Sequence, residues 1–451
     1  MTQLGTQTLP LRVAIVGAGP SGFYVADSLF RSKLSVVIDT FDKLPTPYGL
    51  LRGGVAPDHQ QMKTVGKYYE KVALTPGFSF FGNVTIGKDV SVDELKQHYD
   101  VIVFTCGAQT DKKMGISGED KQGSYTATEF VGWYNGNPDY QDLNVDLSKE
   151  KIAIVGQGNV AIDVARILAK TRQELASSDI TEHALSLLDK SHVKEIHLIG
   201  RRGPVQAAFT ELEIKELGEL EDCDVVIDPQ DLILNEASQI ELDDPANNKA
   251  RKNMLVLQEF AKRSVTNKAK KIVLHFFKSP LEVLGDTSVK GLRLGRNHLE
   301  GSPNQQKAVL TDQHAELQCD LIFRSVGYRG VRIEGVPFDD AKGIFPNQEG
   351  RMGNAMYCSG WIKRGPSGVL GSNKPDGAQT VQSILQDLES LTPCPFRDSK
   401  AVLDILTLRN VRVVTFEDWK KIDTEELNRG QALGKPREKM TSITQILEFL
   451  S

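Results

Sequence analysis

Cysteine is scarce. The five present (Cys106, Cys223, Cys319, Cys358 and Cys394) stand alone, with no Cys-x-x-Cys among them. That spacing excludes a four-thiolate iron-sulfur cluster, a structural zinc site and a dithiol redox centre. It suits thiols kept reduced, so a cytoplasmic location is expected. The eight histidines are scattered without ligand spacing, so no metal is expected. No apolar run nears the roughly 20 residues a membrane helix requires, and the first residues lack the basic and apolar regions of a secretion signal. Membrane insertion is therefore not expected. An excess of positive charge is missing too: 54 basic against 59 acidic residues leaves −5, which argues against nucleic acid as a partner. What remains, with 40% hydrophobic and 7% aromatic residues in a chain of 451, is an ordinary well-cored globular protein, about three domains by length alone.

The apolar, β-rich run Leu11 to Val16 breaks at Gly17-Ala18-Gly19-Pro20-Ser21-Gly22, after which Phe23 to Phe30 carries helical periodicity. Further strands are expected at Ser35 to Phe41, Ser79 to Phe81 and Val101 to Cys106, together an open α/β sheet. The pattern restarts with a strand at Lys151 to Val155, a turn at Gly156 to Ala161 and a helix to Lys170. Val193 to Ile199 is the next strand and ends in Gly200-Arg201-Arg202. Strands and polar loops follow from Val225 through Leu274 to Leu294 and close near Leu321 to Val326. The last third, with a strand at Met356 to Gly360 and a helix at Gly377 to Leu388, is too short for another α/β domain and is expected to complete the first. The fold class is therefore α/β with two dinucleotide-binding, Rossmann-like domains, one built from 1–109 and 328–451 and the other, 110–327, inserted into it.

Gly17-x-Gly19-x-x-Gly22 follows a strand and opens a helix, with an acid, Asp42, 20 residues beyond Gly22. The first glycine permits the turn and the second admits a pyrophosphate. The third packs helix on strand, and the acid takes ribose hydroxyls. Asp39 is a rival for that last role. In the second copy, Gly156-x-Gly158-x-x-Ala161, the next strand ends not in an acid but in Arg201-Arg202. Guanidinium forks suit a 2′-phosphate, so this copy selects NADP(H). Two dinucleotide sites imply electron transfer between two cofactors, and a flavin in the first site satisfies that.

Six strings go beyond general fingerprints: Leu44-Pro-Thr-Pro-Tyr-Gly-Leu-Leu-Arg52, Gly54-Val-Ala-Pro-Asp-His59, Gly156-Gln-Gly-Asn-Val-Ala-Ile-Asp-Val-Ala-Arg166, Gly200-Arg-Arg-Gly-Pro-Val-Gln-Ala-Ala-Phe-Thr210, Gly360-Trp-Ile-Lys-Arg-Gly-Pro-Ser-Gly-Val369 and Gly434-Lys-Pro-Arg-Glu-Lys439. Nearly end to end, the chain resembles the adrenodoxin reductase family of NADPH:ferredoxin reductases, most of all its actinobacterial-type members. The resemblance implies an FAD-dependent enzyme that passes electrons from NADPH to a ferredoxin or flavodoxin. It implies FAD contacts at Ser21, Asp42, Leu50, Ile86, Trp361 and Gly368-Val369-Leu370. NADP(H) contacts are implied at Gln157, Gly158, Asn159, Val160, Arg201, Arg202, Glu213 and Gly368. Asp42 stands where the family usually has Glu, and Ser367 where Thr is common.

His59, Asp163 and Glu213 match polar positions that the family places near the reacting rings, and are the candidate catalytic residues. Each also has a plain structural reading. Asp58-His59-Gln60-Gln61 suits a helix N-cap, Asp163 a buried helix hydrogen bond, and Glu213 a solvated acidic run. Trp361 is either a core residue or a cofactor wall. Between Lys249 and Lys271 lie eight basic residues and one acid, Glu259. Lys249, Arg251 and Lys252, with Lys215, form the candidate docking patch for an acidic partner; a solvated helix face is the other reading. Two alternative functions stay open at this point, an electron-input subunit like the small subunit of glutamate synthase and a non-catalytic NADP(H)-responsive binding protein.

Overall fold

Leu11–Val16 is buried along its whole length, as a strand covered on both faces must be, and leads directly into the helix Pro20–Arg31. In the computed structural model, which describes residues 4–451, this strand lies inside a six-stranded sheet. The order across it is 351–353, 356–358, 101–104, 11–16, 36–41, 78–81. Leu11 pairs with Val36 on one side and Val13 with Val101 on the other, both in parallel. Strand order thus reverses at Leu11–Val16, which leaves a crevice beyond its carboxyl end. The last third of the chain completes this layer. Met356–Cys358 pairs with Val101–Phe104, and the helix Asn373–Asp387 packs on Pro20–Arg31. Gly377 permits that close approach, because a Cβ there would stand 3.2 Å from Val25 N.

The middle of the chain repeats the plan. A second six-stranded sheet runs 124–126, 321–324, 151–155, 195–199, 270–275, 223–227, with every pairing parallel and the reversal at Lys151–Val155. An antiparallel sheet of Lys278–Leu284, Gly291–Glu300 and Lys307–Gln318 follows. One stretch departs from the sequence expectation. Where strands and polar loops are expected after Val225, the chain also forms helices Glu236–Asp243 and Asn248–Lys262. The longer one buries only Asn253, Met254, Leu257 and Phe260, a stripe too narrow to stand out among its charges. Two compact units result. One holds the chain up to Thr110 with Asn135–Gln141 and Gly327–Ser451; the other holds Asp111–Tyr134 and Asp142–Val326.

The first unit contains a buried charge cluster that joins two of the strings singled out in the sequence. Glu426 has no solvent exposure. Arg52 donates to both its oxygens at 2.7 and 2.5 Å, Arg437 at 2.9 Å and Met440 N at 2.9 Å. The Arg52 guanidinium also lies over the Trp419 ring, 5.2 Å from its centroid. Burial works to raise the Glu426 carboxyl, but Arg52 and Arg437 outweigh it and hold the group below the ordinary carboxylate range. The cluster anchors the loop 44–59 to the C-terminal segment. Because the folded value is depressed, its stabilisation is present above about pH 4.3 and is lost as pH falls further. Glu426→Gln should cost on the order of 3 kcal/mol at neutral pH and flatten the acid limb of a urea-midpoint-against-pH curve. An unchanged midpoint at pH 7 would contradict this.

Candidate functional site

The first glycine turn leaves little choice of residue. Gly17 has φ +116°, and a Cβ there would fall 2.7 Å from the Thr105 carbonyl; one on Gly22 would fall 2.3 Å from Gly17 O. Gly19 is different, with nothing nearer than Gly49 Cα at 3.8 Å, so the face of the turn stays open. No side chain caps the helix Pro20–Arg31 at Gly19. Its first N–H groups, at the positive end of the helix dipole, therefore point at the crevice and form a seat for a phosphate. The loop 44–50 closes one side, through Tyr48 N on Ala18 O at 2.7 Å.

Asp39 and Asp42 are placed differently along and beyond the second strand. Asp39 is buried, accepts from Tyr99 Oη at 2.8 Å and faces Arg12 at 3.9 Å. It is already used inside the sheet. Asp42 stands at the crevice, accepting from Ala18 N at 2.8 Å and Leu44 N at 3.0 Å, and burial raises its carboxyl above the ordinary value. These two bonds tie it to the glycine turn and to the loop that follows the strand. Ser21 Oγ donates to Ser359 Oγ at 3.0 Å, and Ser359 Oγ to Asp376 at 3.0 Å.

Of the other first-unit positions, Ile86 is buried in the core, while Leu50 is exposed and opens the short helix Leu50–Gly53. Trp361 is half-buried. It donates from Nε1 to Ser367 O at 3.2 Å and lies against Tyr328, so it is not a core residue. Gly368 adopts φ +84° and, with Ser367, Arg364 and Asp376, lines a cleft of about 480 Å³. Val369 is exposed and Leu370 half-buried beside it, immediately ahead of the helix Asn373–Asp387. His59 is the N-cap residue of Gln60–Lys63, and its side chain makes no capping bond.

The second turn repeats the constraint. Gly156 has φ +139°, and a Cβ there would fall 2.2 Å from Ser325 O; Gly158 has nothing within 4 Å and is the uncapped N-cap residue of Asn159–Ala169. Gln157 binds inward. Its Nε2 donates to His275 O at 2.9 Å, and its side chain fills the space where any Cβ on Gly200 would stand. Asn159 Oδ1 accepts from Thr210 N at 2.8 Å, and Val160 follows half-buried in the first turn. Arg201 and Arg202 are exposed and, among the described residues, make no ion pair. Burial and the charge of Arg201 pull the Arg202 guanidinium below its ordinary value.

Asp163 and Glu213 are brought together by a residue whose part the sequence did not announce. Arg166 is fully buried and reaches Asp163 at 2.7 Å, Glu213 at 3.2 Å and Glu216 at 3.0 Å. The only local signal was the i,i+3 spacing of Asp163 and Arg166. The basic helix proves mostly committed. Arg251 caps the preceding segment, donating to Leu242 O, Asp244 O and Pro245 O. Lys252 pairs with Glu211 at 3.1 Å, and Lys249 Nζ donates to Ala208 O at 2.7 Å.

Known proteins are similar to this chain over nearly its whole length. The chain is 41% identical over 456 residues to the NADPH-ferredoxin reductase FprA of Mycobacterium tuberculosis, covering 98% of this chain and 99% of that one. It is 40% identical over 465 residues to the mitochondrial NADPH:adrenodoxin oxidoreductase of Mus musculus, covering 99% and 93%. The chain belongs to the adrenodoxin reductase family. The solved structure of Mycobacterium tuberculosis FprA in complex with NADPH superposes with a TM-score of 0.93 at 41% identity, over 98% of this chain and 100% of that one. A broader family model, pyridine nucleotide-disulphide oxidoreductase, matches residues 11–216. The five cysteines of this adrenodoxin reductase relative are free thiols, four of them buried. Among its described residues no helix is long and apolar enough to cross a membrane. Arg166→Met should destabilise the second unit by about 3–5 kcal/mol in urea unfolding, because three carboxylates lose one buried counter-charge. A loss below about 1 kcal/mol would contradict the network.

Proposed function

We propose that this chain is an FAD-dependent NADPH:ferredoxin or flavodoxin oxidoreductase. The observation that carries the reading is the pair of open glycine turns, each facing an uncapped helix N-terminus, of which only the second is followed by two unpaired arginines. NADPH supplies two electrons together, and bound FAD releases them singly, so one NADPH reduces two one-electron acceptors and frees a proton.

The first unit is the FAD-binding domain. Gly17, Gly19 and Gly22 leave room for the pyrophosphate, Asp42 faces the ribose, and Ser21, Leu50 and Ile86 shape the walls. Trp361 and the backbone of Gly368-Val369-Leu370 meet the ring. The second unit is the NADP(H)-binding domain, with Gln157 to Val160 at the pyrophosphate, Arg201 and Arg202 at the 2′-phosphate, and Glu213 toward the nicotinamide. His59 is the proposed proton relay, since imidazole exchanges protons near neutral pH. Asp163 and Glu213, held by Arg166 within the second unit, are the polar groups on the NADP(H) side. The free thiols fit a reducing cytoplasm.

The acceptor is a separate, acidic redox protein, docked briefly by complementary charge. The exposed Lys215, outside the basic stretch, offers charge outward; within it Lys252 is half-exposed beside its partner Glu211, while Arg251 is tied to backbone carbonyls. The family resemblance and the end-to-end match to an NADPH-ferredoxin reductase support the reading.

Anaerobic rapid mixing tests the donor half. The absorbance band of oxidised flavin should bleach with NADPH far faster than with NADH; equal rates would remove the role given to Arg201 and Arg202. Docking is tested by Lys215→Glu combined with Lys252→Glu. The pair should raise KM for ferredoxin several-fold and steepen nothing in ferricyanide reduction, whereas an unchanged KM would rule these lysines out.

A further inference from the structure

Lys249 differs from the other basic residues of its helix in where its charge lies. Its Nζ donates to Ala208 O at 2.7 Å. The N–H groups of Ala208 and Phe209 in turn close on Gln157 O, at 2.9 and 3.0 Å. A single residue thus separates the ammonium from the second glycine turn. Asn253, one helical turn further on, holds Phe209 O at 2.9 Å, so the start of this helix is fixed over the segment 207–210 at two points.

Its electrostatic neighbour is Arg202. Burial and then the nearby Arg202 charge draw the Lys249 ammonium below its ordinary value, and Arg202 feels Arg201 in the same way. Among the described residues none of these three cations has a carboxylate partner. The acid closest in effect, Glu241, is engaged elsewhere: it accepts from Asn304 N at 2.6 Å, Gln306 Nε2 at 2.9 Å and Gln206 Nε2 at 2.8 Å. Three like charges are thus held beside one phosphate-binding turn, and Glu241 offsets only part of their repulsion, through Arg202. An arriving dianion relieves that repulsion, and an ammonium that has given one hydrogen to Ala208 O keeps two for a phosphate.

We propose that Lys249 is the third cation of the 2′-phosphate site formed with Arg201 and Arg202, and helps set the preference for NADPH over NADH instead of docking the protein acceptor. The proposal rests on the reading that the second unit takes NADPH.

The test is calorimetric titration of the full-length holoenzyme with adenosine 2′,5′-bisphosphate and with 5′-AMP, for the native protein, Lys249→Met, Lys249→Arg and Arg202→Met. Lys249→Met should weaken the bisphosphate on the order of tenfold, the scale of one charged hydrogen bond, and leave 5′-AMP unchanged. Lys249→Arg should recover most of that loss. If Arg202→Met loses the bisphosphate and Lys249→Met does not, the proposal is overturned while the NADPH reading stands. A raised KM for ferredoxin in Lys249→Met, with bisphosphate binding unchanged, overturns it in favour of docking. If neither Arg202→Met nor Lys249→Met discriminates between the two nucleotides, the NADPH reading fails and the proposal with it.

Discussion

A helix whose first N–H groups have no side-chain cap must find another partner for them, and this chain builds that condition twice at the point where a parallel sheet reverses its strand order. Everything else about the two sites follows from keeping those N–H groups open. Gly17 and Gly156 take backbone angles that L side chains avoid, Gly22 lets its helix press against the turn, and Gly19 and Gly158 stay clear of neighbours. A phosphate satisfies the donors and the dipole together, which makes the turn and the ligand parts of one electrostatic arrangement.

Charge is distributed according to the same logic. Where charged side chains are buried, they are closed into networks: Glu426 between Arg52 and Arg437, Arg166 among Asp163, Glu213 and Glu216. Breaking such a cluster leaves a desolvated charge, so these groups act on stability first and on chemistry through orientation. At the end of Glu195–Ile199 the opposite holds. Arg202 is drawn below its ordinary value by burial and by Arg201, and Lys249 by burial and by Arg202, with Glu241 the one acid acting on Arg202, so like charges there repel unless an anion arrives. The contrast separates charges that hold the fold from charges that await a ligand.

The legible parts of the sequence were those set by local backbone geometry. Gly17, Gly19 and Gly22, and their counterparts Gly156 and Gly158, mark strand-turn-helix units, with Asp42 and Arg201-Arg202 just beyond the strand that follows each. Strands such as Leu11–Val16 and Lys151–Val155 were equally plain, being short, apolar and bounded by glycine. What could not be read depends on contacts far apart in the chain. Arg52 and Glu426 are 374 residues apart. The helix Asn248–Lys262 buries too few residues to outweigh its charges as a pattern, and with it went the placement of Lys249 beside Arg202. The string Asp58-His59-Gln60-Gln61 suited an N-cap, and the N-cap position falls on His59, whose side chain makes no capping bond.

The central claim is that the chain couples a two-electron donor to one-electron acceptors, and electron counting under anaerobic conditions tests it most directly. Limiting NADPH is added to the holoenzyme with excess oxidised ferredoxin, and both are followed by absorbance to completion. The account predicts about two ferredoxins reduced per NADPH consumed, the ratio required when a hydride donor feeds single-electron carriers. NADPH consumption that leaves every ferredoxin or flavodoxin supplied oxidised would contradict it.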